Sequence, residues 1–91
     1  MSPIRVEVRL FGMFRKYSSA ALTFEVPRGT VVSAVRKRIA EALRAACPTF
    51  RDERLLDVSV LADEQRVLDD GDALGPRDRI SLAILPPVCG G

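Results

Sequence analysis

The stretch Val26-Pro27-Arg28-Gly29-Thr30-Val31 is where the chain changes its hydrophobic period. Upstream, Leu22-Thr23-Phe24-Glu25-Val26 alternates apolar and polar residues. That is the period of a strand with one buried face. Downstream, Val32, Val35, Ile39, Ala42, Leu43 and Ala46 recur at steps of three and four, which puts one apolar stripe on a helix. Between them, Pro27-Arg28-Gly29 is turn chemistry, and Thr30 is the expected helix N-cap. Arg36, Lys37, Glu41 and Arg44 fall mainly off the stripe, and Cys47-Pro48 ends the helix, because a residue before proline disfavours the α region. The predicted helix is therefore Thr30–Ala46, with Cys47 a small apolar residue near its stripe.

Working towards the N-terminus, Ile4-Arg5-Val6-Glu7-Val8-Arg9-Leu10-Phe11 alternates without a break until Gly12. Ile4, Val6, Val8 and Leu10 would face the core, and Arg5, Glu7 and Arg9 would face water. Phe14 and Tyr17 stand at helical spacing in the short link that follows, which predicts one helical turn. Strands joined by so short a link are antiparallel.

Working towards the C-terminus, Thr49–Arg54 reads as a polar connection and Leu55–Leu61 as a third strand. Ala62–Gln65 is a turn, and Arg66-Val67-Leu68 a short edge strand. Two further turns, Asp69–Asp72 and Gly75–Asp78, precede a final alternating strand, Arg79–Leu85, with Ile80, Leu82 and Ile84 on one face. Pro86-Pro87 cannot donate to a ladder and stops the pairing. The order of strand, strand, helix and then two or three strands predicts an α+β domain. It would be a mixed sheet of four to five strands with one main helix on one face.

Composition narrows the function. The 91 residues allow one domain, and with 47% hydrophobic residues burial can support it without staples. There is no His, and Cys47 and Cys89 are the two cysteines. A His-based catalytic pair is thereby excluded, and no zinc site is expected. Asp69, Asp70 and Asp72 lack the later ligands of a calcium loop and read as a solvated turn. The net charge is only +2, and the arginines are dispersed apart from Arg36-Lys37-Arg38, so no nucleic-acid partner is expected. The opening residues Met1-Ser2-Pro3-Ile4-Arg5 carry no apolar signal region, and no apolar run is long enough to span a bilayer. Neither a membrane partner nor export is expected, and the expected location is cytoplasmic.

What remains is Pro86-Pro87-Val88-Cys89-Gly90-Gly91. Six extended residues reach roughly 20 Å. The prolines would stiffen the base, and the glycines strip the tip of side chains, so the tip could thread a site where a β-carbon would clash. The expected organisation is a domain over residues 1–85 and a flexible diglycine tail over 86–91.

This chain resembles the MoaD/ThiS family of sulfur carriers, which share the ubiquitin-like β-grasp fold. The resemblance rests on the opening strand Ile4–Phe11, on the Val26–Val31 turn and, above all, on Leu85-Pro86-Pro87-Val88-Cys89-Gly90-Gly91. The tail is similar to that of the small subunit of molybdopterin synthase more than to the thiamine carrier. The resemblance implies that a ubiquitin-activating-type enzyme uses ATP to adenylate the Gly91 carboxylate, and that a sulfur donor then converts it to a thiocarboxylate. The carrier binds no cofactor of its own. It implies insertion of Pro86, Pro87, Val88, Cys89 and Gly90 into the partner. That partner is the large subunit of molybdopterin synthase, where sulfur passes to the pterin precursor of the molybdenum cofactor. A thiazole synthase or another sulfur-accepting pathway, or conjugation as a protein modifier, are the alternatives. The sequence departs from the family in two places. Asp70-Gly71-Asp72 lies earlier than the family's turn before the last strand, which here reads Pro76-Arg77-Asp78. Cys89 stands where Ser, Thr or Ala is usual, and reads as a small spacer, the alternative being a thiol active in acyl or persulfide exchange. A tail alone is too small an interface for stable docking, so the exposed sheet face and the segment at Phe11 and Phe14 are expected to supply the remainder.

Overall fold

Period-two patterning at Ile4 produces strand β1, Ile4–Leu10, with alternate residues buried and exposed. The computed structural model describes residues 3–87. Gly12 takes φ 58°, which only glycine adopts cheaply, and turns the chain into a 3-10 helix, Gly12–Lys16. β2, Leu22–Val26, returns antiparallel to β1, pairing Ile4 with Val26 and Val8 with Leu22. The stripe then forms α1, Val32–Ala46, which buries Val32, Val35, Ile39, Ala40 and Leu43.

Thr30 is not the N-cap. Val31 occupies that position and supplies no side-chain cap, while the Thr30 hydroxyl donates back to the Pro27 carbonyl at 2.6 Å. The first N–H groups of the helix are satisfied from elsewhere, as they must be by some partner. Val32 N–H donates to the Asp72 carbonyl at 2.8 Å and Ser33 N–H to the Asp70 carbonyl at 3.0 Å. The Asp69–Asp72 turn is thus a backbone cap delivered from forty residues downstream. Arg36 locks it, with Nε on Asp70 at 2.7 Å and a terminal nitrogen on the Leu56 carbonyl at 2.8 Å. A remote carbonyl cap leaves no local sequence signal, so a scan for Ser, Thr, Asp or Asn misplaces the start.

The predicted strand Leu55–Leu61 is instead a short helix followed by a shorter strand. α2 spans Glu53–Val58, and β3 spans Val60–Ala62. Asp52 caps α2 by accepting from Leu55 N–H at 3.2 Å, and the Ser59 hydroxyl donates to the Leu55 carbonyl at 2.6 Å where the helix ends. These side-chain bonds favour a turn of helix over a ladder. Leu56 is buried while Val58 is 58% exposed, so the alternation across these residues did not mark one buried face. The connection before it is not merely polar. Phe50 is fully buried and meets Tyr17 edge to face, ring centroids 4.8 Å apart.

β4, Val67–Leu68, lies at one edge of the sheet, and β5, Arg79–Leu85, is inserted between β1 and β3. The order is β2-β1-β5-β3-β4. β1 and β5 are parallel, and the other neighbours are antiparallel. Val6, Val8, Leu82 and Ile84 from the sheet share one buried core with Val35, Ile39 and Leu43 from α1, as the sequence predicts. Ile39 is fully buried. Ile39→Ala should therefore lower unfolding free energy by about 2–5 kcal/mol, the range for buried Leu, Ile or Met truncations, as read from urea denaturation.

Candidate functional site

The site is built where β5 ends. Its last registered pairs are Leu10 with Ile84 on β1 and Val60 with Leu85 on β3. Pro86 and Pro87 follow and carry no N–H to continue the ladder. Val88, Cys89, Gly90 and Gly91 lie outside the described residues.

Around this exit the outer face of the sheet is apolar. α1 covers the inner face, where Leu61, Leu68, Leu82 and Ile84 are buried. The opposite parity of the same strands puts Val60, Ala62, Val67, Ala83 and Leu85 outside. Ala62 pairs with both Val67 and Ala83, and Val60 with Leu85, so cross-strand neighbours join into one patch. Val67 is 59% exposed and Leu85 38%. These residues are gathered at one spot rather than scattered singly. Arg9, which pairs with Ala83, borders the patch and holds its guanidinium 5.8 Å from the Phe11 ring centroid, within cation–π range.

The docking residues expected from sequence divide. Phe11 is 39% exposed and stands beside Arg9, but Phe14 is completely buried. The 3-10 helix turns Phe14 inwards, and the bare-surface position next to it belongs to Met13, at 47% exposure. Phe14 is a core residue and is withdrawn from the docking surface. The patch is not legible from the sequence pattern, because Val60 falls in the segment expected to be a strand over Leu55–Leu61 and Ala62 in the turn expected after it, whereas the two belong to one short strand. A signal did exist in β5, where polar Arg79 and Ser81 give way to Ala83 and Leu85 on the outward parity.

A further cleft lies elsewhere on the described surface. It measures about 280 Å³ and is lined in part by Asp63, Arg66, Arg77 and Arg79, at the start of β5, away from Pro86. Two of its charges, Asp63 and Arg66, have partners of their own. Asp63 accepts from Gln65 and Arg66 N–H, both at 2.8 Å. Those two bonds hold its carboxyl below the usual carboxylate range. Arg66 also pairs with Asp72 at 3.3 Å. Among the described residues, no group of three or more His, Cys, Asp or Glu could hold a metal ion, and no helix is long and apolar enough to cross a membrane.

Solved structures share the fold. Ubiquitin from Caldiarchaeum subterraneum superposes with a TM-score of 0.65 at 20% identity, covering 99% of this chain and 100% of that one. The fold is the ubiquitin-like β-grasp. SAMP1 from Haloferax volcanii matches with a TM-score of 0.64 at 23% identity, over 96% and 99% of the two chains. A putative molybdopterin converting factor subunit 1 from Pyrococcus furiosus matches at 0.63 and 22%, over 93% and 99%. No protein-family model and no curated protein sequence matches the chain. On this β-grasp domain the tail root and the apolar patch share one end of β5.

Proposed function

We propose that this chain is a sulfur carrier whose Gly91 carboxylate, taken as the working terminus, is the chemical group. One observation carries the reading: β5 leads directly into Pro86-Pro87 and then Val88-Cys89-Gly90-Gly91, with an exposed apolar patch around the exit. A carboxylate is a poor acyl donor. Attack of its oxygen on ATP in a ubiquitin-activating-type enzyme releases pyrophosphate and leaves an acyl-adenylate. Sulfide then attacks the acyl carbon, the bond to AMP breaks, and a thiocarboxylate remains; with a persulfide as nucleophile the product is an acyl disulfide, which a second thiol cleaves to the thiocarboxylate and a disulfide. The domain contributes no acid or base. It contributes a side-chain-free tip on a stiff root, and the partner contributes the pocket, ATP and metal chemistry. The tail sequence favours the large subunit of molybdopterin synthase as acceptor, with sulfur ending in the molybdenum cofactor. A thiazole synthase is the competing acceptor. The site residues on this reading are Gly91 for chemistry, Pro86–Gly90 for insertion, and Val60, Leu85 and Phe11 for docking.

A second reading has specific support. Two of the similar structures bear the names ubiquitin and, for a Haloferax volcanii protein, small archaeal modifier protein 1. The same adenylated tail attacked by a lysine amine, rather than by sulfur, would make this chain a protein modifier. Mass analysis separates the two, since one leaves a free chain with sulfur at its terminus and the other a chain joined to lysines.

Docking is testable apart from chemistry. Placing charge in the patch with Val60→Asp and Leu85→Asp together should weaken binding to the activating enzyme at least about tenfold, as loss of an interface hot spot does. The two aspartates would face each other across the ladder and lower the thermal midpoint somewhat, so affinity is measured well below the transition and each single variant is measured beside the pair. Unchanged affinity in calorimetry would remove this face from the interface.

A further inference from the structure

We infer that Gly12 is a positioning residue for the tail: its bare α-carbon is the seat on which the Pro86 ring rests, and that seat fixes the direction in which the chain leaves the sheet. β1 and β5 are parallel and end together, Leu10 opposite Ile84. Two residues further on, Gly12 and Pro86 meet. A β-carbon built on Gly12 would lie 2.7 Å from Pro86 Cγ and 3.4 Å from Cδ. Real β-carbons do not come that close to another atom, and the atom they would strike belongs to a closed ring that cannot swing aside like the end of a flexible side chain. With Gly12 changed, the contact cannot persist as it stands, and either the Gly12 backbone or the Pro86 ring with the chain that carries it must shift.

Both sides of this contact are held. On one side Gly12 opens the 3-10 helix, which is anchored by the fully buried Phe14. On the other, Leu85 is fixed by its pairing with Val60. Pro86 and Pro87 then each have a locked φ, and Pro87 confines Pro86 to extended ψ. A chain that leaves Leu85 through two such residues, with the first ring seated, has few directions open to it. Glycine at position 12 is thus required twice, for its φ of 58° and for the space its missing side chain leaves. Gly29 offers the natural control. It also has positive φ, 84°, but nothing lies within 4 Å of the β-carbon it would gain.

The value of a fixed exit to an activating enzyme rests on the carrier reading above, but the seat itself does not. The test therefore uses no partner enzyme. In a Cys47→Ser background a nitroxide is attached at Cys89, and paramagnetic broadening of backbone amides maps where the label spends its time. Gly12→Ala should lose the parent broadening pattern, and Gly29→Ala should retain it. In a Pro86→Ala background, adding Gly12→Ala should produce no further change, because the ring it would strike is gone. The urea midpoint gives a second readout. Gly12→Ala should lower it more than Gly29→Ala, and the excess should vanish when residue 86 is Ala. The seat is overturned by a parent pattern in Gly12→Ala, or by an equal effect of Gly12→Ala with and without the Pro86 ring. Should the seat hold while thiocarboxylate is never found, the positioning role stands and the carrier reading alone falls.

Discussion

Deleting Gly91 should abolish ATP–pyrophosphate exchange by the activating enzyme from the same cell, while the thermal midpoint stays where it was. The two expectations have different physical sources. Exchange requires an acyl group at the position the enzyme reaches, and a chain one residue short presents its carboxylate about 3.5 Å too early. That distance exceeds what a near-attack geometry tolerates, for which about 1 Å already costs two orders of magnitude in rate. Stability, by contrast, comes from the core of Ile4, Ile39, Phe50, Leu82 and their neighbours, all upstream of Pro86. Gly90→Val should act in the same direction by adding bulk where the tip must be slim. Cys89→Ser should be nearly silent, because the proposed chemistry is on the terminal carbon and not on the thiol. The inverse outcome, loss with Cys89→Ser and full exchange without Gly91, would move the sulfur to the thiol.

Phe14→Asp should unfold the protein rather than selectively weaken docking. Phe14 is fully buried in the core cluster that also holds Val8, Leu43 and Ile84. Truncation of a buried phenylalanine to alanine alone costs about 3–5 kcal/mol. Adding an unpaired carboxylate to that site costs more still. A domain of this size has roughly 5–15 kcal/mol in total, so the aspartate variant should lack a cooperative transition at room temperature. Phe14→Ala, the milder change, should show a transition displaced to lower urea. Phe11→Ala, one turn earlier and 39% exposed, should fold normally and lose only docking affinity. Circular dichroism on the three variants decides whether the aromatic segment is one surface or one anchor with a neighbour.

These two cases show what was legible in the sequence. β1, β2, β5 and the α1 stripe could be read because each buries one face against a single core, and burial imprints a period on the residues. Phe14 and Phe50 could not be assigned that way. Each lies in a connection too short to show which way its side chain faces: the Phe14–Tyr17 spacing marks one helical turn but not its buried side, and Phe50 has no partner of its own period. The start of α1 was hidden for another reason. Its first N–H groups bond to carbonyls at Asp70 and Asp72, and a backbone carbonyl is the same in every residue type. α2 was hidden by its brevity, since six residues of helix and three of strand leave too little of either period. The site was half visible. The two prolines and two glycines are legible as residue types with fixed mechanical consequences. The apolar patch depends on which strand neighbours which, and the Val60–Leu85 and Ala62–Ala83 pairings exist only after β5 has been inserted between β1 and β3.

The most direct test of the sulfur-carrier claim is the mass of the intact chain from its own cell, followed by fragmentation to place any change. The account predicts a population heavier by the difference between one sulfur and one oxygen, with the change confined to Gly91 and absent after deletion of that residue. A chain that carries only the ordinary carboxylate under sulfur demand, or a whole added sulfur atom on Cys89, or an isopeptide bond from Gly91 to lysine, would contradict it.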